Sequence, residues 1–376
     1  MSTGLLEGVR VLDLTRLLPG PLATMHLADQ GAEVIKIEDP DKGDYARHDL
    51  APPGRMSPLF HALNRGKRSV VIDLRAPAGR EAFLGLVDTA DVVVESFRPG
   101  VMADLGLSPQ TLRARKAALV VCSITAHGQT GPLAGRPAHD NNMVGYAGVA
   151  ALYPRDADGR IRSPDIQFAD VAGGALHAAM AISMALARTA RTSEGATLDI
   201  SMVEAALSAA VLPFALREAF EAGQGPLVGA LPGYDYYRCQ DGRHMAVGAL
   251  EPKFWSLFCD AVGRPDLKAA HLAFGPPAES AKAELRTLFA TRTRDEWAAR
   301  LEPLGCCVTP VLSLDEALAH PQLAAREFLY AVSDPQDGEM LRMGAPFRVD
   351  GTRARPKTSA PRHGEHTAIY WPGETS

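Results

Sequence analysis

Several signatures of common protein classes are missing from this chain. The formal net charge of the 376 residues is −5, so no overall positive field is available to collect nucleic-acid phosphates. The turn after the first predicted strand, Thr15–Gly20, is not a G-x-G-x-x-G loop, and there is no P-loop and no regularly spaced Cys/His set. We therefore expect no nucleic-acid partner, no dinucleotide or other organic cofactor, and no metal site.

Cysteine is also scarce. The five cysteines are odd in number and scattered, which is typical of reduced thiols in a cytoplasmic protein. The first residues do not form a basic stretch followed by an apolar one, so no secretory signal is predicted. The longest apolar helix candidate, about 174–187, contains His177 and is too short to cross a bilayer. The sequence thus predicts a cytoplasmic protein that does not bind membranes.

The apolar share of 46% is ample for a large core, and its pattern is that of an α/β protein. A strand at 9–14, a helix from Pro19 to Gly31 and a strand at 33–38 form a strand–helix–strand unit. Further strands are predicted at 69–74, 91–96 and 118–124, with helices near 77–88 and 108–116. This alternation predicts a Rossmann-like, doubly wound parallel sheet.

The rest of the chain predicts a second, smaller domain. One helix is expected from Val171 to about Arg188 and another, apolar, from Asp199 to about Ala222. From Gly223 the composition changes, and glycines, prolines and aromatic residues become frequent. We predict a large α/β domain at 1–222, a linker at 223–234, a small α+β domain at 235–325, and a C-terminal segment at 326–376 that returns to the large domain.

Three residues are candidates for acid–base chemistry. Asp170 stands where a helix N-cap belongs, and capping alone is an equally good interpretation. The glycines at 173 and 174 argue against capping alone, because glycine in a first helical turn costs roughly 1 kcal/mol relative to alanine, and that cost is explained if something must approach the helix backbone closely. Free N–H groups at that helix start would stabilise an enolate oxygen. His139 lies in a loop, and Glu251 closes an apolar run; each alone is more typical of a structural residue.

Basic residues near strand ends are candidates for binding an anion. The cluster Asn64-Arg65-Gly66-Lys67-Arg68 precedes the 69–74 strand, and Arg98 follows the 91–96 strand. In α/β proteins ligands bind at the carboxyl ends of strands, and arginine and lysine suit phosphates. A solvated turn is the competing interpretation for such a charge run.

Taken together, these segments resemble family III CoA-transferases over nearly the whole chain. The matching segments include Gly8–Leu14, Leu63–Ser69, Glu95–Gly100, Gly128–Pro132 and Thr309–Leu312. Within that superfamily the run Ala138-His139-Asp140 is similar to α-methylacyl-CoA racemases. The stretch Val247–Pro252 is similar to them too, since it does not contain the glycine-rich loop common in the transferases.

The resemblance implies the roles of the candidates. His139 and Asp170 would be two opposed bases, with Glu251 supporting His139 and Tyr234 near Asp170. The CoA contacts would come from Arg16, Lys36, Asn64, Arg65, Lys67, Arg68 and Arg98. It implies an interlocked homodimer that epimerises 2-methylacyl-CoA thioesters, with CoA as part of the substrate. Two alternatives stay open: a CoA-transferase with Asp170 as nucleophile, and a non-catalytic member that binds CoA esters.

Overall fold

The computed structural model describes residues 4–49, 51–356 and 358–371. Its contacts divide the chain into two compact units, Met1–Ala209 with Gln322–Ser376, and Ala210–Pro321. The larger unit is built on a sheet of six parallel strands: β1 (Arg10–Asp13), β2 (Glu33–Glu38), β3 (Arg68–Val71), β4 (Val92–Glu95), β5 (Val120–Thr125) and β6 (Thr197–Ser201). The strand order is β3-β2-β1-β4-β5-β6, which confirms the predicted Rossmann-like sheet.

The four inner strands β2, β1, β4 and β5 are almost entirely buried, as strands of a parallel sheet covered on both faces are, while the edge strand β6 is partly exposed. Leu12, Ile35, Val93 and Val121 are fully excluded from solvent. The helices of this unit are Pro19–Asp29, Pro58–Asn64, Pro77–Thr89, Val101–Asp104, Pro109–Arg115, Asp140–Tyr146, His177–Thr192, Met202–Ser208 and Thr367–Tyr370, with Pro321–Ala325 at the boundary between the units. Four of the first six helices start with proline, at the first helical turn, where its missing N–H costs nothing.

The predicted helix from Asp199 to Ala222 is wrong. Residues Thr197–Ser201 form β6, which pairs in parallel with β5 and extends the sheet by one strand. The remainder is divided into three short helices, Met202–Ser208, Val211–Ala215 and Arg217–Glu221. Alanine and leucine dominate after residue 202, and that helical composition masked the alternation of Leu198 and Ile200 in the strand.

The smaller unit contains a three-stranded antiparallel sheet, β7 (Tyr234–Arg238), β8 (His244–Gly248) and β9 (Val308–Pro310), with β8 in the middle. Its longer helices are Pro252–Ala261, Pro276–Phe289 and Arg294–Leu301, followed by the short helix Leu314–Leu318. Aromatic rings fill the core. Phe289 stacks on both Tyr237 and Phe258, and its ring centroid lies 5.3 Å from that of Trp297. Such ring pairs contribute beyond the area that they bury.

The C-terminal segment begins with an antiparallel hairpin, β10 (Leu329–Asp334) and β11 (Gly338–Met343). Further on, the His366 backbone N–H donates to the carbonyl of Ser69 at 2.9 Å, and the Thr367 hydroxyl accepts from the Val71 amide at 3.0 Å. These bonds hold residues 366–367 along the open edge of β3.

The apolar helix near residue 180 is longer than predicted. A continuous helical run covers Ala169–Thr192, 24 residues, and by length and composition alone it is the one such run among the described residues that can span a membrane. The expectation that it is too short is therefore wrong. Core helices pass the same test, and this one packs against β5, β6 and the helix Pro19–Asp29.

Candidate active site

A cavity of about 530 Å³ lies at the carboxyl ends of β1 to β4. The strand order reverses between β1 and β4, and in open α/β sheets this is where ligands bind. Arg16 lines the cavity: its guanidinium lies 5.2 Å from the Tyr45 ring and 5.9 Å from the Phe97 ring, and it pairs with Asp39 at 3.3 Å. Arg16 thus occupies a place suited to its predicted role, and contact with CoA stays a prediction.

The side chain of Lys67 is buried among protein groups, a position that does not suit contact with a ligand. Its ammonium is completely buried and lies 3.0 Å from an oxygen of Asp13, 2.8 Å from the Thr24 hydroxyl and 2.9 Å from the Asn64 side-chain oxygen. Burial alone would raise the pKa of Asp13, but the two lysines, Lys67 and Lys36, hold it well below its usual range. Lys67 and Asn64 therefore fix the base of the turn after β1.

Lys36 and Arg65 are also engaged inside the protein. The Lys36 ammonium lies 2.8 Å from Asp44 and donates to the carbonyl of Thr15, and Arg65 pairs with Asp29 at 2.6 Å. All four charged groups are buried. These cations have their charge compensated by protein carboxylates, so the arrangement supports a structural role, and CoA contacts from Lys36, Asn64, Arg65 and Lys67 stay untested predictions.

Arg68 and Arg98 are exposed. Arg68 contacts the His366 ring nitrogen at 2.9 Å, and Arg98 follows the cavity-lining Phe97. Two cations in the cavity lining, Lys42 and Arg75, were missed by the sequence analysis. Arg75 follows β3 as Arg98 follows β4, so the same strand-end argument, applied to β3, would have identified it.

The His139 and Asp170 segments are tied together. The helix Asp140–Tyr146 begins directly after His139, whose backbone N–H donates to the Asn142 side-chain oxygen at 3.0 Å. The Asp140 carboxylate accepts a hydrogen bond from the backbone N–H of Asp170 at 2.9 Å. His139 and Asp170, 31 positions apart in the sequence, are therefore in neighbouring segments, and the carboxyl of Asp170 lies within the electrostatic reach of His139.

The carboxyl group of Asp170 has a raised pKa. Burial, reinforced by the nearby carboxylate of Asp140, raises the pKa of Asp170 to about 6, and the attraction of His139 acts in the opposite direction. A carboxyl group with such a pKa accepts or returns a proton at physiological pH, as a general acid–base group must.

Two expectations about the helix at Asp170 are wrong. The helix starts at Ala169, with wide turns up to Leu176, so Asp170 lies inside it and is not its N-cap. The N–H of Asp170 bonds to Asp140 and that of Val171 bonds to the Gln167 carbonyl at 3.1 Å. These two amides are therefore not free to stabilise an enolate oxygen.

The two glycines of this helix lie where other residues approach its backbone closely. An added Cβ at Gly174 would lie 2.8 Å from Pro19 and from the sulfur of Met202, and one at Gly173 would lie 3.0 Å from the Met202 carbonyl. Real Cβ atoms essentially never approach closer than 3.0 Å, so Gly174 permits other helices to pack against the Asp170 helix, and a Cβ at Gly173 would make a tight contact there. The close approach to the helix backbone that these glycines predict is therefore made by neighbouring helices.

Glu251 and Tyr234 lie in the smaller unit. Glu251 is exposed and directly precedes the helix Pro252–Ala261, where its backbone carbonyl accepts from Phe254 and Trp255. Tyr234 is half-buried at the start of β7, opposite Gly248. Their roles beside His139 and Asp170 stay predictions.

One cluster has the composition of a metal site. His61, Asp334 and Asp337 offer ligand atoms within 4.8 Å of one another. The guanidinium of Arg362 pairs with both aspartates, and His61 bonds to Asp337 at 2.8 Å. The cluster thus already holds a cation, and its chemistry is that of an ion-pair network that fastens the β10–β11 hairpin.

The chain is similar to known proteins over nearly its whole length. The model of the family "CoA-transferase family III" matches residues 6–367. The chain is 33% identical to human alpha-methylacyl-CoA racemase, over 96% of this chain and 91% of that protein. It is 32% identical to succinate–glutarate CoA-transferase of Agrobacterium fabrum, over 96% and 94%. The crystal structure of Rv3272 from Mycobacterium tuberculosis superposes with a TM-score of 0.86 at 30% identity, covering 98% of this chain and all of that one.

Proposed function

The chain belongs to CoA-transferase family III, and on that premise we propose that it interconverts the epimers of a 2-methylacyl-CoA. One observation carries the proposal: an imidazole and a half-buried carboxyl are held in neighbouring segments by the bond from the Asp170 amide to Asp140. The pKa of that carboxyl is raised, mainly by burial, to about 6. Such a pair can hold one proton on either member.

The reaction needs two groups that act on opposite faces of one carbon. The thioester acidifies its α-carbon, because the electron pair of the broken C–H bond spreads onto the thioester oxygen. With one epimer, Asp170 takes the α-proton and the imidazolium of His139 delivers another to the opposite face. With the other epimer the roles are exchanged, and no metal or organic cofactor takes part.

The proposal places the CoA moiety in the 530 Å³ cavity at the strand ends. Arg16, Lys42 and Arg75 line it and suit the phosphate groups, and Tyr45 and Phe97 provide aromatic faces for a purine. Glu251 as the carboxylate that orients His139, Tyr234 as a hydrogen-bonding group near Asp170, the interlocked homodimer and the cytoplasmic location belong to the same proposal. They rest on the resemblance to the racemases.

A CoA-transferase is the second candidate. The observation in its favour is that the chain is almost equally similar to a racemase, at 33% identity, and to a CoA-transferase, at 32% identity. In that reaction the ionised Asp170 attacks the thioester carbonyl, the carbon–sulfur bond breaks, and CoA leaves as the thiolate while an acyl anhydride forms.

The pH dependence of kcat/KM separates the two. For the racemase we expect the same bell-shaped profile in both directions, because the active pair carries one proton in total. Below about pH 6 the carboxyl of Asp170 takes up a proton beyond the one that the pair needs, since burial raises its pKa to about 6. At high pH the pair loses its one proton and none is left to return. A transferase needs only the ionised carboxylate, so its rate would fall below pH 6 with no alkaline loss from this pair.

A further inference from the structure

The turn between β1 and the helix Pro19–Asp29 has a strained backbone. Leu17 adopts a φ of +65°, in the left-handed region that residues other than glycine rarely enter. Arg16, directly before it, lines the cavity in which CoA is proposed to bind. Such a conformation costs free energy and persists only where the surrounding structure imposes it, commonly at ligand sites. The groups that hold Leu17 in this conformation therefore also fix the backbone of Arg16.

Buried charged side chains anchor both peptide units of Arg16. On the following side, the backbone N–H of Leu17 donates to the Oδ1 oxygen of Asp44 at 3.0 Å. On the preceding side, the carbonyl of Thr15 accepts from the ammonium of Lys36 at 2.8 Å. The second oxygen of Asp44 lies 2.8 Å from the same ammonium. Asp44 and Lys36 thus form one ion pair that holds the turn from two sides.

The same Asp44 oxygen holds a second group that contacts Arg16. It accepts a hydrogen bond from the backbone N–H of Ala46 at 3.0 Å, which fixes the peptide unit that follows Tyr45. The hydroxyl of Tyr45 in turn accepts from the Arg16 guanidinium at 3.0 Å. Both side chains line the cavity. One carboxylate oxygen therefore sets the positions of a cation and of an aromatic ring in the same wall.

Burial makes this arrangement rigid. Asp44 is only 1% exposed, so water does not compete for its hydrogen bonds. Its own backbone N–H donates to the Glu38 carboxylate at 3.0 Å, which fixes the residue that fixes the turn. A guanidinium that is already held in place loses less conformational freedom when it binds a phosphate. The ordering then takes place during folding and does not weaken the binding of the ligand.

We propose that Asp44 is a positioning residue for CoA, which holds Arg16 in the strained turn and Tyr45 beside it so that the cavity is preorganised for the phosphate groups. This inference rests on the proposed function in one respect, the placement of CoA in this cavity. It applies to a racemase and to a transferase alike. It goes further by assigning the affinity for CoA in part to a buried carboxylate that does not touch the ligand.

The first test measures the binding of free CoA to the full-length protein by isothermal titration calorimetry. Asp44→Ala should raise the Kd about ten-fold, close to the effect of losing one charge-assisted contact. Asp44→Asn keeps one acceptor oxygen for the two backbone amides and should raise the Kd only about three-fold. With a thioester substrate, Asp44→Ala should raise KM and leave kcat within about two-fold, because His139 and Asp170 are unaltered.

A matched control separates positioning from a general loss of stability. Both Asp44 variants leave Lys36 buried without its partner, so the titrations are run at a temperature at which far-UV circular dichroism shows every variant folded. Asp334, in β10, is also buried, pairs with Arg362 and accepts two backbone N–H groups, but it is not one of the described residues that line the cavity. Asp334→Ala should leave the Kd for CoA unchanged.

A double-mutant cycle shows whether Asp44 acts through Arg16. Arg16→Ala alone should raise the Kd about ten-fold, and adding Asp44→Ala to it should change the Kd by about two-fold at most. A residue with an independent structural role would give the same further rise in both backgrounds. If Asp44→Ala does not fold, Asp44→Asn takes its place in the cycle, where its rise of about three-fold should disappear in the Arg16→Ala protein.

Several results would overturn the inference. These are an unchanged Kd in a folded Asp44→Ala or Arg16→Ala protein, an equal rise in Asp334→Ala, and a full further rise in the Arg16→Ala background. If the unaltered protein does not bind CoA, the proposed placement of CoA fails and the inference falls with it. The expected pattern of Kd values, found in a protein that epimerises no 2-methylacyl-CoA, would support the inference and defeat the proposed function alone.

Discussion

His139→Ala is expected to abolish α-proton exchange for one epimer of the substrate and to preserve it for the other. Asp170→Asn should give the complementary pattern. A single remaining base removes the proton on its own face and returns a solvent-derived one to that same face, so exchange proceeds with retention. Interconversion of the epimers should fall by about 10²–10⁴-fold in both variants, the usual contribution of a general acid–base group.

The readout is ¹H NMR of each pure epimer in D2O, together with chiral analysis of the recovered thioester. Controls of the same chemical change at exposed positions, His244→Ala and Asp104→Asn, should behave as the unaltered protein does. Binding of CoA itself should persist in all four variants. If either active-site variant exchanges both epimers at the full rate, the assignment of the two bases is wrong.

Lys67→Met is expected to lower the free energy of unfolding by about 3–5 kcal/mol, the usual cost of removing one partner of a buried ion pair. The change leaves the carboxylate of Asp13 buried with hydroxyl donors but without its 3.0 Å ammonium partner. Urea unfolding followed by far-UV circular dichroism measures the difference. Lys253→Met, at an exposed lysine, should lie within about 0.5 kcal/mol of the unaltered protein.

A second variant separates the buried pair from other roles of Lys67. Replacing both partners, Asp13→Leu with Lys67→Met, should recover part of the lost stability, since no unpaired charge is then buried. Were Lys67 a CoA contact instead, Lys67→Met would raise KM for the thioester and leave the unfolding free energy unchanged.

The sheet was predictable because its signal is local. Short runs rich in β-branched residues, such as Glu33–Glu38, predict strands without knowledge of the rest of the chain, and that strand has the predicted bounds. β6 was missed because its five residues adjoin a long alanine-rich stretch, and pairing with β5 outweighs that composition.

The site was only partly predictable because its geometry depends on distant partners. The sequence around Lys67 is typical of an exposed cation. Only the fold shows that Asp13, 54 positions earlier, pairs with it. In the same way the bond from the Asp170 amide to Asp140 spans 30 positions. Residue types suggested His139 and Asp170, whereas the fold was needed to place Lys42 in the lining of the cavity at the strand ends.

Proton movement at the α-carbon can be observed directly in the first turnover. One pure epimer of a short 2-methylacyl-CoA is mixed with excess enzyme in D2O, and both epimers are analysed by mass spectrometry before a second turnover occurs. Two opposed groups predict that nearly every product molecule carries one deuterium, because the second group delivers a solvent-derived proton, while unreacted substrate is mostly unlabelled. Unlabelled thioester of unchanged configuration, with Asp170 trapped by hydroxylamine as a hydroxamate, would contradict epimerisation and identify a transferase.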